Sequence, residues 1–231
     1  MLIWRASNAL LQRAMDSPDD TLAMGSDSAP RSWPAAALSA PALAAPDLAD
    51  QLQRGSAALF PTDTLPALAA CPNQAHQLWT LKQRPPDKPL ILMAASSELL
   101  LAALGVPLQP AWLEMAAWAW PGAVTLVLPA TGPVAAALNP GGSSLGLRLP
   151  ACPEALALLQ LSGPLATTSA NLSGCPAATT AEQAAQQFPE VPRLAPLPWP
   201  LAGGQASTVL AWGETGQWQV LRAGALLPPG I

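Results

Sequence analysis

The stretch Leu145-Gly-Leu-Arg-Leu149 decides how the middle of this chain folds, because a leucine occupies every second position in it. Successive side chains of an extended strand point to opposite faces, so the three leucines share one face and Gly146 and Arg148 share the other. The leucine face is typical of a sheet that packs on a core. An arginine beside a glycine at a strand end leaves space for a ligand, although the wet face of a sheet shows the same pattern.

Strand and helix signals alternate on both sides of this stretch. Apolar runs predict strands over residues 57–60, 90–94, 124–128, 145–149, 165–168, 208–212 and 218–221. Periodic apolar positions and turn residues predict helices over residues 47–54, 73–82, 97–104, 111–118, 153–161 and 180–188. The turn Gly213-Glu-Thr-Gly216 indicates a hairpin between the last two strands. We therefore expect a mixed, twisted α/β sheet with helices packed on it.

The composition indicates a compact protein with one appendage. Of 231 residues, 51% are hydrophobic and only 10% are charged, which suits one domain with a sizeable core. Residues 17–46 are rich in serine, alanine, proline and aspartate without periodicity, so we expect a linker or poorly ordered extension over residues 1–46 and a folded domain over 47–231. Residues 1–15 lack an uninterrupted apolar segment, so we expect no secretory signal, and no apolar stretch approaches ~20 residues, so we expect no membrane span. A cytoplasmic location is the resulting expectation.

Charge and reactive side chains argue against several classes of function. The net charge of -4 disfavours general binding to long nucleic acids, which selects for basic surfaces. Cys71, Cys152 and Cys175 lack CxxC spacing, and their odd number does not suggest a disulfide framework. His76 is the single histidine, which argues against a His-ligated zinc site or a histidine-based triad. The common phosphate-loop and Rossmann glycine motifs are also absent.

Five of the ten basic residues lie at turns or strand ends beside small polar residues, glycine or proline. They are Lys82, Arg84, Lys88, Arg148 and Arg222. Cations in such settings commonly bind phosphates or carboxylates. For each one taken alone, a solvated surface charge is the more common interpretation.

Two polar segments follow predicted strands. Residues 167–174, Thr-Thr-Ser-Ala-Asn-Leu-Ser-Gly, offer five hydrogen-bonding side chains within seven residues. Hydroxyls and backbone amides in such a loop can cradle phosphate oxygens, and an ordinary turn rich in Asn and Ser has the same composition. Pro61-Thr-Asp-Thr64 likewise fits either a ligand-binding turn or a capped turn.

Taken in order, seven short segments resemble the YrdC-like family of L-threonylcarbamoyladenylate synthases, in its short, TsaC-type form. The segments are Phe-Pro-Thr-Asp-Thr (60–64), Leu-Lys-Gln-Arg-Pro-Pro-Asp-Lys-Pro-Leu-Ile-Leu (81–92), Trp-Pro-Gly-Ala-Val-Thr-Leu-Val-Leu (120–128), Leu-Gly-Leu-Arg-Leu-Pro (145–150), Thr-Ser-Ala-Asn-Leu-Ser-Gly (168–174), Ser-Thr-Val (207–209) and Leu-Arg-Ala-Gly (221–224). Each is short, but together they keep the family's order. The resemblance implies an open twisted α/β fold around a deep, positively lined cavity, with residues 47–231 as the catalytic domain.

The resemblance also implies the site residues. The family's KxR and SxN signature corresponds to Lys82, Arg84, Ser169 and Asn171, which are the implied catalytic residues. The implied ATP site consists of Arg84, Lys88, Ser144, Ser169, Ala177 and Arg222. The implied threonine site consists of Thr62, Thr64, Arg148, Thr167 and Ser207. Mg²⁺ would accompany ATP, and no metal site is implied in the chain itself.

The implied reaction makes threonylcarbamoyl-AMP and pyrophosphate from L-threonine, bicarbonate and ATP, for N6-threonylcarbamoyladenosine modification of tRNA by downstream transfer machinery. Contact of the chain itself with tRNA would be weak. A carbamate attacking the α-phosphorus of ATP needs alignment and charge neutralisation, which suits a chain poor in histidine. Ser169 and nearby amides would stabilise developing charge on oxygen.

The chain departs from the family pattern at two places. Leu65-Pro-Ala-Leu-Ala-Ala70 replaces a stretch that usually contains a tyrosine and glycines, and Met93 stands where some members carry histidine. These changes would alter the wall of the threonine pocket. Three alternatives therefore stay open: an RNA-binding module of the same fold, a catalytically degenerate paralogue, and a carbamoyl-transfer domain of hydrogenase maturation, which normally belongs to a longer chain.

Overall fold

A computed structural model describes residues 40–201 and 203–228, and these residues form a mixed sheet of ten strands flanked by helices. The strands are β1 (Ala42–Leu43), β2 (Ala58–Phe60), β3 (Ala67–Ala70), β4 (Ile91–Met93), β5 (Val124–Pro129), β6 (Ser144–Arg148), β7 (Leu165–Ser169), β8 (Arg193–Leu194), β9 (Thr208–Trp212) and β10 (Trp218–Arg222). The helices are α1 (Ala45–Gln53), α2 (His76–Lys82), α3 (Ser97–Ala102), α4 (Pro110–Ala119), α5 (Pro133–Leu138), α6 (Pro153–Ser162) and α7 (Ala181–Gln187).

The strand order across the sheet is β1-β8-β2-β3-β7-β4-β6-β5-β9-β10. In the centre, β4 pairs parallel with β6 and antiparallel with β7. At one end, β9 pairs parallel with β5 and antiparallel with β10. This mixture of directions confirms the predicted mixed sheet, and the β9–β10 pair confirms the predicted hairpin.

Side-chain alternation gives the sheet two unlike faces. On the first face, Leu92, Leu147 and Ala166 come from adjacent strands and lie at the centre of the large hydrophobic core. The helices α2, α3, α4, α5 and α7 all contribute buried residues to this core. The first face is therefore covered by helices over the central strands, as the alternating leucines of β6 predicted.

The second face is covered only in part. Leu48 of α1 and Leu158 of α6 pack on the strands near β2 and β3 and form a second, smaller core. Farther along the same face, Ile91, Gly146 and Thr167 lie side by side in register. A Cβ added at Gly146 would lie 3.4 Å from the side chain of Ile91. Glycine at this position therefore leaves the space above this strip of the sheet open. The open strip is the place where a ligand can approach the sheet.

Four elements were not predicted from the sequence: β1, β3, β8 and α5. The strand β3 is buried throughout, and an apolar run buried on both faces shows no period-two pattern. The helix α5 has six residues, too few to show a helical period. The strands β1 and β8 have two residues each and pair with one another, so a contact between distant parts of the chain defines them.

The predicted boundaries also change at two places. The predicted helix over residues 73–82 begins at His76, after a 3₁₀ turn at Pro72–Gln74. The strand β1 and the start of α1 both precede residue 47, where the sequence placed the start of compact structure. Residues 1–39 lie outside the described residues, so the division into an extension and a catalytic domain stays a prediction.

All three cysteines are free thiols. Burial raises the pKa of Cys152 to about 11, so this side chain is a neutral thiol at pH 7. Among the residues that the structure describes, no helix is both long enough and apolar enough to cross a bilayer.

Three tryptophans join α4 to the terminal hairpin. Trp112 of α4 meets Trp212 of β9 edge to face, with ring centroids 6.3 Å apart. Trp212 meets Trp218 of β10 in the same manner at 5.2 Å. Such edge-to-face contacts stabilise aromatic pairs beyond the area that they bury, so they hold α4 against the hairpin.

Gly224 allows the chain after β10 to pass close to the start of β9. Its backbone N–H donates to Oγ1 of Thr208 at 3.0 Å, and an added Cβ would lie 2.5 Å from the backbone N of Thr208. We expect Gly224→Ala to lower the free energy of unfolding by about 2 kcal/mol or more, because backbone atoms cannot move aside as a flexible side chain can. Urea unfolding measures this change.

Gly203→Ala is the matched control for this prediction. The nearest atom to a Cβ at Gly203 is the carbonyl oxygen of Asp63 at 3.6 Å, an ordinary contact. We expect this variant to change the free energy of unfolding by less than about 0.5 kcal/mol. An equal loss in both variants would contradict the steric argument at Gly224.

Candidate functional site

A cavity of about 190 Å³ opens on the uncovered strip of the second face. All five cations that the sequence singled out line it, namely Lys82, Arg84, Lys88, Arg148 and Arg222. Within the described part of the chain, no aspartate or glutamate belongs to this lining. The protein has a net charge of -4, so the cavity is a local concentration of positive charge that attracts anions.

The structure brings most of the predicted site residues together. Besides the five cations, the lining includes Thr64, Thr167, Ser169, Asn171, Ala177 and Ser207. Two predicted residues, Thr62 and Ser144, are buried and do not line the cavity. Thr62 bonds within its own turn, and Ser144 accepts hydrogen bonds from Asn139. The ligand contacts predicted for all these residues stay predictions.

Lys82 holds the loop that follows β7. It is the last residue of α2 and is only 2% exposed. Its Nζ donates to the carbonyl oxygen of Ser169 at 2.6 Å, to the carbonyl oxygen of Asn171, and to Oδ1 of Asn171 at 3.1 Å. An ammonium group has three N–H donors, and these three acceptors match them in number. The burial of Lys82 therefore fixes the shape of residues 169–171.

Asn171 in turn fixes the direction of the Ser169 hydroxyl. The Nδ2 of Asn171 donates to the carbonyl oxygens of Leu172 at 3.0 Å and Cys175 at 2.9 Å, so its other side-chain atom, Oδ1, is an acceptor only. Oγ of Ser169 lies 2.6 Å from this Oδ1 and must donate its proton to it. In this arrangement the Ser169 proton is directed at Asn171, and the role of Ser169 towards a ligand stays a prediction.

Arg148 lies at the end of β6 and is 3% exposed. Its Nε donates to the carbonyl oxygen of Gly122 at 3.1 Å, its Nη1 to Oγ1 of Thr64 at 2.7 Å, and its Nη2 to Oδ1 of Asp63 at 2.8 Å. Burial lowers the pKa of Arg148, and the carboxylate of Asp63 opposes this shift. A guanidinium group has five N–H donors, so one donor on each Nη remains for a ligand.

The turn after β2 supports Arg148 through two threonines. Oγ1 of Thr62 donates to the carbonyl oxygen of Leu65 at 2.7 Å and accepts from the N–H of Thr64 at 3.1 Å. The two threonine hydroxyls are 3.1 Å apart. Because the Thr62 proton points to Leu65, Thr64 is the donor between them, and its lone pairs accept from Arg148. Thr62 therefore does not line the cavity itself, and it acts by orienting Thr64, which does.

Neutral oxygens also position the other two arginines. Arg84 donates from Nη1 to Oγ1 of Thr168 at 3.2 Å and from Nη2 to the carbonyl oxygen of Pro89 at 3.0 Å. Arg222 donates from Nη2 to the carbonyl oxygen of Ser207 at 3.0 Å. Both guanidinium groups line the cavity, and a guanidinium group is well suited to bind an anion.

The two departures from the family pattern fall on the cavity wall. Leu65, Pro66 and Ala67 line the cavity, and so does Met93. All four side chains are apolar, so this part of the wall offers shape rather than hydrogen bonds. The residues that depart from the family pattern therefore lie on the part of the cavity wall that a bound ligand would contact.

Sequence reasoning assigned no individual role to Asp63, and Thr168 counted only as one of five hydrogen-bonding side chains in the segment after β7. Thr168 lies in the polar segment after β7 and accepts from Arg84, and Asp63 lies between two predicted threonine-site residues and pairs with Arg148. The signal for Asp63 was the presence of a charge within a turn of otherwise buried residues. A charge in such a place needs a partner of opposite sign.

The lining residues offer Mg²⁺ little direct coordination. Mg²⁺ prefers oxygen ligands and is commonly held by one or two carboxylates together with substrate phosphates. Across residues 40–201 and 203–228, no group of three histidine, cysteine, aspartate or glutamate side chains is suited to a metal ion. The hydroxyl and amide oxygens of the lining fit an ion that phosphates of a nucleotide hold in place.

Comparison with known proteins identifies the family. The model of the Sua5/YciO/YrdC family, described as "Telomere recombination", matches residues 50–224. This chain belongs to the Sua5/YciO/YrdC family. The match confirms the resemblance that the seven sequence segments indicated.

Two relatives named threonylcarbamoyl-AMP synthase show how far the similarity extends. The protein of Pyrococcus abyssi is 37% identical over 142 residues, which cover 59% of this chain and 41% of that protein. The protein of Vibrio parahaemolyticus is 36% identical over 142 residues, which cover 59% of this chain and 77% of that protein. The chain therefore spans less than half of the archaeal relative and about three quarters of the bacterial one.

Solved structures of the family share the fold. Pyrococcus abyssi Sua5 complexed with L-threonine aligns with a TM-score of 0.72 at 32% identity, over 78% of this chain and 54% of that chain. Escherichia coli YciO aligns with a TM-score of 0.68 at 22% identity, over 78% of this chain and 88% of that chain. These alignments confirm the predicted α/β fold of the family.

We expect Lys82→Met to lower the free energy of unfolding by about 3 kcal/mol. Methionine is comparable in length to the apolar stem of lysine but leaves three acceptors of the loop after β7 without their hydrogen bonds. Thermal or urea unfolding measures the change. Lys88→Met is the control, because Lys88 is half-exposed in the same cavity and water can replace its contacts. A control that loses as much stability as Lys82→Met would contradict the holding role of Lys82.

Proposed function

We propose that this member of the Sua5/YciO/YrdC family is a threonylcarbamoyl-AMP synthase, a nucleotidyltransferase that uses L-threonine, bicarbonate and ATP. The observation that carries the proposal is the cavity with five cationic residues and no carboxylate in its described lining. All three substrates carry negative charge. L-threonine has a carboxylate, bicarbonate is itself an anion, and ATP has a triphosphate. The names of the similar proteins support the same activity.

Threonine would bind at the Arg148 end of the cavity. The planar guanidinium group matches a carboxylate, and the two N–H donors that Arg148 retains on Nη1 and Nη2 are suited to the two carboxylate oxygens. Thr64, Thr167 and Ser207 line the same cavity and supply hydroxyl groups for the rest of a small polar amino acid.

ATP would place its phosphates near Arg84, Lys88 and Arg222. The cavity volume of about 190 Å³ is below the ~300–1,000 Å³ typical of sites that enclose a whole ligand. An ATP molecule would therefore extend out of the cavity with its phosphates inside. Mg²⁺, bound to these phosphates, would neutralise part of their charge. Lys82 would act through the loop that it holds.

The reaction needs alignment of its groups and no covalent intermediate on the protein. The amino group of threonine adds to the carbon of bicarbonate, and loss of water gives a carbamate. An oxygen of the carbamate forms a bond to the α-phosphorus of ATP, and the bond to the β-phosphate oxygen breaks to release pyrophosphate. Arg84 and Arg222 would stabilise the charge that develops on the departing phosphates.

The product would supply the downstream machinery that transfers the threonylcarbamoyl group to adenosine in tRNA, as N6-threonylcarbamoyladenosine. An anhydride of a carbamate and AMP is reactive towards an amino group, so a transferase must consume it. This step belongs in the cytoplasm, where we place the protein. The net charge of -4 favours at most weak direct contact with tRNA.

Pyrophosphate release by the purified full-length chain tests the proposal. With ATP and Mg²⁺ present, we expect release to require both L-threonine and bicarbonate, because the carbamate is the attacking group. A coupled phosphate assay measures the rate. Well-folded protein that releases no pyrophosphate would contradict the proposal and favour a degenerate paralogue. RNA affinity that falls steeply with salt, without turnover, would favour an RNA-binding module.

We expect Arg84→Ala to lower kcat/KM by roughly 100-fold or more, the scale of losing one charge-stabilising donor. The fold should be retained, because Arg84 lies in a loop and is half-exposed. Circular dichroism and pyrophosphate release together measure both effects. Arg54→Ala is the control, since Arg54 pairs with Asp50 on the surface at 4.0 Å. Turnover of Arg84→Ala at the rate of the control would contradict the assignment.

A further inference from the structure

Asp63 connects three segments through a single oxygen atom. Its Oδ1 accepts from Nη2 of Arg148 at 2.8 Å and from the backbone N–H of Ala151 at 3.1 Å. Arg148 ends β6, Ala151 lies just before α6, and Asp63 itself lies in the turn after β2. The side chain of Asp63 is 18% exposed and that of Arg148 only 4%. The ion pair is therefore largely shielded from water, where such a contact is strongest.

The carboxylate of Asp63 is the charged partner among the three acceptors of Arg148. The other two are the neutral carbonyl oxygen of Gly122 and the hydroxyl of Thr64. Burial and the nearby charge of Arg222 both disfavour a cation at this position, and Asp63 opposes them. Removal of one partner from such a pair leaves a buried charge without compensation, so the guanidinium would leave this position.

Asp63 does not line the cavity and so acts through Arg148. Its contact at Nη2 and the contact of Thr64 at Nη1 fix the plane of the guanidinium group. One N–H on each Nη is left for the cavity. A guanidinium fork binds a carboxylate well only when it is held in one orientation.

We propose that Asp63 is a positioning residue for the carboxylate end of the cavity, where it orients Arg148 towards the carboxylate of a small amino acid. This inference rests on the proposed function, with threonine as the amino acid. It assigns Asp63 to binding of the amino acid and not to binding of the nucleotide, which the other arginines serve.

Steady-state kinetics of pyrophosphate release test the proposal with Asp63→Ala and Asp63→Asn. We expect Asp63→Ala to raise the KM for L-threonine about tenfold or more, while the KM for ATP stays within about twofold of the original value. Asp63→Asn retains an oxygen that can accept from both donors but loses the negative charge, so its threonine KM should rise by less than that of Asp63→Ala. Asp50→Ala, on the exposed surface of α1, is the control and should change neither constant.

A second measurement is independent of turnover. In protein labelled with ¹⁵N at arginine, the side-chain N–H signals of Arg148 are assigned by their loss in Arg148→Lys. We expect these signals to shift and broaden in Asp63→Ala and to be retained in Asp63→Asn. If the original protein shows no threonine-dependent release, the proposed function fails, and these signals still decide whether Asp63 orients Arg148.

Three outcomes would overturn the proposal. The first is a folded Asp63→Ala protein whose threonine KM and Arg148 signals are unchanged. The second is an equal rise of both KM values, which indicates general damage to the cavity. The third is a threonine KM that rises as much in Asp63→Asn as in Asp63→Ala. This result would show that a hydrogen-bond acceptor at position 63 does not help to orient Arg148. Should Asp63→Ala fail to fold, Asp63→Ser replaces it, because its shorter side chain does not reach Arg148.

Discussion

The alternation of side chains along the central strands is the constraint on which the rest of this structure depends. Leucine and alanine on one face of β4, β6 and β7 require a layer of helices above them, because their apolar area must leave water. The other face of the same strands carries a glycine and polar side chains as well as apolar ones such as Ile91 and Met93. Gly146 and Thr167 lie there in register through Ile91. One sheet thus supplies a core on one side and the floor of a cavity on the other.

The cavity keeps its positive charge because each buried cation has its own set of acceptors. Lys82 donates to the loop after β7, and Arg148 donates to the turn after β2 and to Asp63. Desolvated charges are costly unless they are hydrogen-bonded. The same bonds that offset this cost also order the two loops on either side of the ligand space. Stability and the shape of the site therefore depend on the same few contacts.

Local patterns in the sequence predicted the class of fold and the five cations, and the resemblance to the family predicted the other site residues that line the cavity. Alternation marked β6, and the turns with lysine and arginine marked the five cations. The strand β3 escaped prediction because its alanines and Leu68 are buried on both faces and show no period. The small strands β1 and β8 are defined by pairing with each other and by pairing of β8 with β2. Predicting them requires knowledge of contacts across about 150 residues, which no local pattern supplies.

The hydrogen bonds of the site could not be predicted from the sequence either, because they also depend on contacts between distant segments. The direction of the Ser169 proton follows from the two carbonyl oxygens that Asn171 contacts, and those lie in a loop whose course is set by Lys82 of α2. Likewise the role of Asp63 depends on the end of β6, which lies 85 positions away in the chain. Residue type alone indicates what a side chain can donate or accept, and the fold decides which atom it meets.

The tryptophan contacts between α4 and the terminal hairpin give the protein an optical property. The chain contains nine tryptophans and no tyrosine, so its near-ultraviolet absorption and its fluorescence come almost entirely from indole. Trp212 and Trp218 lie on the two strands of the hairpin that ends at Arg222. Indole emission depends on the packing and polarity around the ring. Movement of this hairpin on ligand binding would therefore change the intrinsic fluorescence, and the protein carries its own reporter for one wall of its cavity.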